Sequence, residues 1–524
     1  MTLSDKLRRK GSKKKEGRVA IHKPIKTKRI FLLSFLFIAI LTLLSFDTRY
    51  YLGGDNIRYI ILAKSIISGQ GYRDINEPSS PPHTTYPPGF PLLLIPFLLL
   101  FGLSYPLLNL LPLILALFSL FLFFLILKGA SEKEELRLIS FSLLGTSPIF
   151  LLYSHTLLSE IPFLFFTLLT FYLFSQSEKK KSPFLLIASF LSLTFSLFIR
   201  TAGIGILPAF SLYLLLKKRY RELITLLILF LLFFLPYFLY NRHLGRGSGY
   251  LELFTYKNPY NPEEGKISLT TYLSRFGKNF YLYSFFVFPQ TLFPFTLPSP
   301  FQFLVGLFSL LLLIISFRKR LKAKDSLYPF YLFFSFFILF SWPEVWTGDR
   351  FLLPLFPFLL YYLFLGFDSL FPKRGSLLYL FFGIIALGYL IKDFQGVGEN
   401  IGINLSRLKG DRYAGYPLDW VRYFQACEWI KEHTERDAVI VARKPEFVYF
   451  LTERKSFLYP FTTDPKKIMA KIEEREATHL LFDQFFWTQT SSRYLTPLLN
   501  EFSNRFEPIY STDYPQMIVY QIKR

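Results

Sequence analysis

Eleven apolar blocks, each nearly free of charge, limit this chain more than any other feature. They run near 30–46, 105–127, 138–153, 161–176, 183–199, 203–216, 222–240, 296–317, 327–342, 351–367 and 376–392. Stretches such as Ile30–Phe46, Pro106–Leu127 and Leu223–Tyr240 hold no charged residue. About 20 such residues cross the hydrocarbon core of a bilayer. In that medium every backbone N–H and C=O must be paired within its own segment, which a helix does. With 52% hydrophobic residues, among them 64 Phe and 33 Tyr, the chain reads as an α-helical polytopic membrane protein of about eleven transmembrane helices. The block Phe90–Phe101 is shorter and is introduced by prolines. It predicts a helix that lies in the interface or re-enters, not a span.

Charge sets the orientation. The chain carries a formal +23, but its basic residues gather in the first 29 positions and in Lys179–Lys181, Lys217–Arg221, Arg318–Lys324 and Lys373–Arg374. Short basic connectors mark the cytoplasmic side. The charge therefore reports topology, and no nucleic-acid partner is expected. With the N-terminus inside and Phe90–Phe101 uncounted, all four tracts share that side. Counting the block would put all four outside. The organisation that follows is a basic cytoplasmic tail over 1–29, a transmembrane domain over 30–392 with external loops 47–104 and 241–295, and an external domain over 393–524. No small-residue cleavage site follows Phe46, so the first span is expected to stay uncleaved. The single cysteine, Cys427, excludes an internal disulfide and a multi-cysteine zinc site.

The last segment is more polar and reads as a small α/β domain. Leu418–His433 has helical spacing of apolar residues. Asp437–Arg443, Thr478–Asp483 and Met517–Ile522 read as strands, with helical Lys466–Glu476 between two of them. No Gly-rich phosphate loop is present, so no nucleotide is expected there.

The chemistry gathers at the external ends of the blocks. The first loop holds Tyr51-Leu-Gly-Gly-Asp55-Asn-Ile-Arg58-Tyr59, then Gly69-Gln-Gly71-Tyr72, then His83-Thr-Thr-Tyr86-Pro-Pro-Gly89. Asp55 opens a predicted helix, Asp55–Ile67. It suits an N-cap there, and a carboxylate at that end is also placed to act as a base. Arg58 lies three residues on, on the same face. Tyr86-Pro-Pro-Gly89 is a turn leading into the interfacial helix. Glu160 stands between a short external loop and a fully apolar span. Arg200 and Arg350 are isolated arginines on the side opposite the basic tracts, where each asks for a negative partner. A neighbour such as Asp349 or a lipid headgroup satisfies that need. So does a bound phosphate, whose oxygens the guanidinium fork matches.

Taken in order, Gly54-Asp55-Asn-Ile-Arg-Tyr59 through Gly69-Gln-Gly71-Tyr72, then Tyr86-Pro-Pro-Gly-Phe-Pro, resemble the first external loop of bacterial C-type (GT-C) membrane glycosyltransferases. These are the relatives of the protein mannosyltransferases and the aminoarabinose transferase of lipid A. Ser159-Glu160-Ile-Pro162, Arg200-Thr-Ala-Gly203 and Asp349-Arg350-Phe-Leu-Leu-Pro354 are similar to that family's later acidic and arginine motifs. Trp429–His433 to Arg443-Lys-Pro445 is similar to the soluble domain of some members. The resemblance implies a multi-pass enzyme of the bacterial inner membrane that moves a sugar from a polyprenyl-phosphate donor to a glycan, lipid or protein acceptor, with inversion. It implies Asp55 and Glu160 as the catalytic acidic pair and Arg58, Arg200 and Arg350 as donor-phosphate ligands. His83, Tyr86 and Tyr59 become the substrate loop, and Phe90–Phe101 a cradle for the lipid tail. Many relatives carry Asp-Glu where this chain has Asp55-Asn56, which removes one metal ligand. No cofactor is fixed, and a divalent metal stays open.

Two other classes handle lipid-linked sugars from polytopic folds. A polysaccharide polymerase or ligase would rest on external arginines and a histidine, for which His155 and His243 are available. A transporter or flippase would place ionisable groups near the midplane and repeat its halves. This chain puts its unusual charges at one face and shows no repeat.

Overall fold

The computed structural model describes residues 24–130, 133–243, 249–295, 297–322, 326–372, 374–487 and 489–523. The basic tail as far as residue 23 lies outside them. Each of the eleven apolar blocks is helical. Among the described residues four helices are long and apolar enough to cross a membrane: Tyr105–Ala130, Tyr220–His243, Ser299–Leu321 and Gly375–Leu408. Glu134–Gly145 and Pro148–Ser154 are apolar enough together and are bent by 53° at the break, as in a broken span or a re-entrant loop. The bend has a local cause, since Pro148 lacks an N–H and disfavours helical geometry in the residue before it. Pro183–Ile199, Thr201–Leu216, Leu327–Ser341 and Phe356–Leu370 are shorter apolar helices.

Packing separates inner helices from outer ones. Phe356–Leu370 is buried over most of its length, and Phe358 rests against Phe171 and Tyr331. Tyr220–His243 has only 6% of its apolar window buried. An apolar helix exposed in this way is at home only against lipid.

Gly89–Phe101 is a helix of 13 residues that packs on Asp55–Ile67 and Pro183–Ile199. Gly89 makes that approach possible. A Cβ there would sit 2.6 Å from the carbonyl carbon and oxygen of Phe198.

The C-terminal unit is a five-stranded sheet with helices packed on it. In chain order its strands are β1 (Val439–Ala442), β2 (Lys455–Phe457), β3 (His479–Phe482), β4 (Phe506–Ser511) and β5 (Ile518–Ile522). They lie in the order β2-β1-β3-β5-β4. β2, β1 and β3 are parallel, while β5 runs antiparallel to β3 and β4. The unit begins later than residue 393. Gly375–Leu408 is one unbroken helix of 34 residues, because nothing stops it before Gly410, which takes φ +103°. The polar residues after 392 extend the helix beyond its apolar part.

The unit is seated on two of the loops. The Ser456 amide donates to the Asn76 carbonyl at 2.6 Å, and Arg58 pairs with Glu446. From the other loop, Glu263 accepts from Thr462 and Thr463. Together these close a cavity over one end of the helix bundle.

Candidate active site

The cavity has a volume of about 620 Å³. Asp55, Arg200 and Arg350 line its charged floor and Glu160 lies buried beneath it, each at a helix end. Asp55 is the first residue of Asp55–Ile67, Glu160 the first of Glu160–Lys180, Arg200 the residue that ends Pro183–Ile199, and Arg350 sits in a 3₁₀ turn before Phe356–Leu370. Asp55 is not the cap of its helix. Gly54 holds that position at φ +98°, and no side chain caps it. The carboxylate of Asp55 is therefore left for tertiary partners.

Those partners form a chain of charges. Arg350 donates through Nη2 to Asp55 Oδ2 at 3.0 Å and through Nε to Glu160 Oε1 at 2.6 Å. The same Glu160 oxygen lies 2.6 Å from Arg200 Nη1. Arg200 also donates to the Ser159 hydroxyl at 3.1 Å, and so does Tyr59 at 3.2 Å. Tyr86 donates its hydroxyl to Asp55 Oδ1 at 2.9 Å. Glu160 is fully buried, and its Oε2 has no hydrogen-bond partner. A buried carboxylate without a cation would be strongly disfavoured; here two guanidinium groups hold it. Burial alone would raise the pKa of Asp55, but Arg350 and the Tyr86 hydroxyl outweigh it and keep the group below its ordinary value. Both arginines also face the Phe351 ring, at 5.4 and 5.2 Å.

The structure thus brings Asp55, Arg200, Arg350, Tyr59 and Tyr86 to one cavity, with Glu160 buried behind the two arginines. It does not bring Arg58. That guanidinium turns away to Asp74 at 2.7 Å and to Glu446, where it ties the first loop to the C-terminal unit. His83 is also structural. Its Nδ1 donates to Asp74 at 2.8 Å, and its Nε2 accepts from the Tyr86 amide at 2.8 Å. Burial keeps its pKa below the ordinary histidine value, so the neutral ring holds the turn that presents Tyr86. His155 is buried outside the cavity wall, and His243 is exposed at a helix end. Neither reaches the charged floor.

Lys444 was not singled out from the sequence. It follows β1, and its Nζ donates to the Gly53 carbonyl at 2.6 Å. Burial first, and then the charge of Arg443, pull its pKa down to about 8 against Glu446 and Asp55. The signal available for it was position: ligand-binding residues in α/β units favour the carboxyl ends of strands.

The lipid-facing side also differs from expectation. No residue of Gly89–Phe101 lines the cavity. Instead Ile338 is shared with a second, apolar groove of about 380 Å³, lined by Ile204, Leu207, Pro208, Leu227, Phe334 and Phe337. It runs between Thr201–Leu216, Tyr220–His243 and Leu327–Ser341. The helix Gly89–Phe101 is excluded from it because it is engaged with Asp55–Ile67.

Among the described residues no group of three or more His, Cys, Asp or Glu is placed to hold a metal ion. Arg350 fills the space between the Asp55 and Glu160 carboxylates and binds both. A divalent cation does not fit that arrangement.

Neither a family profile nor a curated protein matches the sequence. Solved structures do. Over 94% of this chain it is similar to ArnT from Cupriavidus metallidurans bound to undecaprenyl phosphate, with a TM-score of 0.60, 11% identity and 98% of that chain covered. The apo state of ArnT gives 0.57 at 12% identity and 97% coverage. The Archaeoglobus fulgidus oligosaccharyltransferase tethered with an acceptor peptide gives 0.57 at 10%, with 74% of that chain covered. These are GT-C glycosyltransferases, and the likeness at such identity is one of fold.

Proposed function

We propose, from the fold shared with these membrane enzymes, that the chain is a glycosyltransferase using a polyprenyl-phosphate sugar donor. The observation that carries the reading is the run of charges Asp55–Arg350–Glu160–Arg200 at the foot of a cavity that shares Ile338 with a neighbouring apolar groove. A lipid phosphate has one anionic end and one long apolar end, and this site offers a place for each. In this reading the phosphate lies at Arg200 and Arg350, the isoprenoid tail lies in the groove at Ile338, and the sugar lies beside Asp55.

The reaction then balances simply. Asp55 accepts the proton of an acceptor hydroxyl, and the hydroxyl oxygen bonds to the anomeric carbon. The bond from that carbon to the phosphate oxygen breaks, and its electron pair leaves with polyprenyl phosphate. Arg350 and Arg200 stabilise the charge that develops there, the kind of interaction that gains strength in the transition state. Arg350 links this event to the base. Drawn toward the incoming phosphate, it releases part of its hold on Asp55, whose proton affinity then rises when the acceptor must be deprotonated. Glu160 keeps both arginines in place, and inversion follows from a single displacement. The active site faces the outside of a bacterial inner membrane, with the N-terminus cytoplasmic.

The test is donor consumption by purified protein in detergent, using a panel of labelled polyprenyl-phosphate sugars. Asp55→Asn keeps the side chain's shape and removes its proton affinity, so turnover should vanish from protein that elutes and melts like wild type. Normal turnover by that variant sinks the assignment of the base.

A further inference from the structure

The glycosyltransferase reading leaves the acceptor open, and resting on that reading we propose that the outer wall of the cavity is an acceptor subsite for a saccharide bearing an anionic group. Four of the five tryptophans in the chain, Trp342, Trp346, Trp420 and Trp487, line this one cavity together with Tyr260. Tryptophan in membrane proteins ordinarily anchors the outer surface at the lipid interface. These rings instead turn inward, and they come from the C-terminal unit and from the end of Leu327–Ser341. Trp346 Nε1 donates to the Tyr260 hydroxyl at 3.0 Å, which fixes the ring. Trp487 is 49% exposed. Flat, rigid apolar faces with a few fixed polar groups suit a sugar ring, which offers C–H groups on its faces and hydroxyls at its edge.

The cations are what select an anionic sugar. Lys444 Nζ lies 4.7 Å from the Trp487 ring centroid. An ammonium has three donors, and one is taken by the Gly53 carbonyl. Among the described residues no carboxylate lies within ion-pair distance of it. Behind it stands Arg443, 7% exposed, with a buried Nε that has no hydrogen-bond partner. Its guanidinium packs 5.3 to 5.4 Å from the Tyr260, Phe461 and Trp487 rings. Two buried cations stand beside one wall, and the carboxylates that face them are engaged elsewhere, Glu446 by Arg58, Asp55 by Arg350 and Asp483 by Ser491; the wall therefore has a positive field that favours an anion.

Reaction geometry assigns the wall to the acceptor. An inverting displacement brings acceptor and leaving group to opposite faces of the anomeric carbon. Arg200 and Arg350 mark the leaving phosphate, while Lys444 reaches the Asp55 turn from the C-terminal unit, bonded to the carbonyl of Gly53, two residues before Asp55.

The test uses purified full-length protein and two probes, glucose 6-phosphate and glucose, followed by tryptophan fluorescence. Quenching by glucose 6-phosphate should occur at a concentration at least tenfold lower than by glucose. Lys444→Met should erase the difference, Lys444→Arg should keep it, and Trp487→Leu should remove the quenching, each in protein with a wild-type elution profile and unchanged affinity for polyprenyl phosphate. No quenching by either sugar, equal quenching by both in wild type, or an undiminished preference in Lys444→Met overturns the subsite. The donor reading fails separately, through wild-type protein that consumes no donor, because sugar binding here does not depend on turnover.

Discussion

Arg350→Gln removes the one group that bonds both the Asp55 and Glu160 carboxylates, and its effects on folding and on catalysis differ in size. Removing one partner from a buried ion pair costs about 3–5 kcal/mol when the other charge is left alone. Glu160 is not left alone, since Arg200 stays 2.6 Å from the same oxygen. Asp55 keeps the Tyr86 hydroxyl, and Arg350 itself is 20% exposed. Roughly half the full penalty, about 2 kcal/mol, is therefore expected, which a domain stable by about 5–15 kcal/mol survives. On the chemical step the loss is larger. Withdrawing one preorganised donor from a developing negative charge lowers kcat about 10²–10³-fold. The assay is single-turnover consumption of a polyprenyl-phosphate sugar, normalised to the folded fraction from a melting curve. Arg350→Lys keeps the charge but cannot span both carboxylates, so it should recover only part of the rate. Turnover per folded molecule within threefold of wild type in Arg350→Gln would show that Arg350 is only a structural ion-pair partner.

Four further outcomes are expected. Lys444 is held at about 8 against an ordinary 10.5, a gap equivalent to about 3 kcal/mol. Because the folded value is the lower one, the penalty is fully present below pH 8 and is relieved as pH rises to 10.5. Wild type should thus gain stability relative to Lys444→Met across that window, and a difference independent of pH in denaturant unfolding would contradict the buried charge. Arg58→Met should loosen the C-terminal unit, exposing residues 409–417 to limited proteolysis while affinity for polyprenyl phosphate is unchanged; weakened donor binding with an unaltered digest would return Arg58 to the phosphate. Gly89→Val should destabilise the protein by about 1–3 kcal/mol through overpacking, read as a lowered melting temperature, because its Cβ would meet the Phe198 carbonyl. Tyr86→Phe leaves Asp55 with Arg350 as its remaining hydrogen-bond donor and should reduce kcat about tenfold, the worth of a single hydrogen bond to a charged group; an unchanged rate would make the contact incidental.

The helices were legible because a bilayer imposes its demand locally: a charge-free block must satisfy its own backbone wherever it sits in the chain. The four charges at the cavity floor were legible for the same reason. Asp55, Glu160, Arg200 and Arg350 stood at the ends of blocks that carry almost no others. What the sequence hid were partners brought together by folding. Arg58 looked like a phosphate ligand because Glu446, its partner, is 388 residues away. β2 is only three residues long, too short for a period-two pattern. β4 contains Pro508 and lies at the sheet edge, which is where proline is tolerated in a strand.

Asp55 shows how one residue could be identified before its role was. Its place after Gly53-Gly54 fitted an N-cap, and spacing alone did not choose between cap and base. The left-handed backbone of Gly54 decides the local question, because it lets Gly54 occupy the cap position and sends the Asp55 carboxylate into the cavity. The same glycine admits the C-terminal unit. Lys444 Nζ would lie 3.3 Å from a Cβ at residue 54, and it bonds the carbonyl one residue earlier. A side chain at 54 would strain the turn and crowd the lysine together. Docking of the C-terminal unit and orientation of the Asp55 carboxylate therefore depend on one short turn. The C-terminal unit thus supplies part of the wall of the cavity that holds Asp55 and is not an appendage beside it.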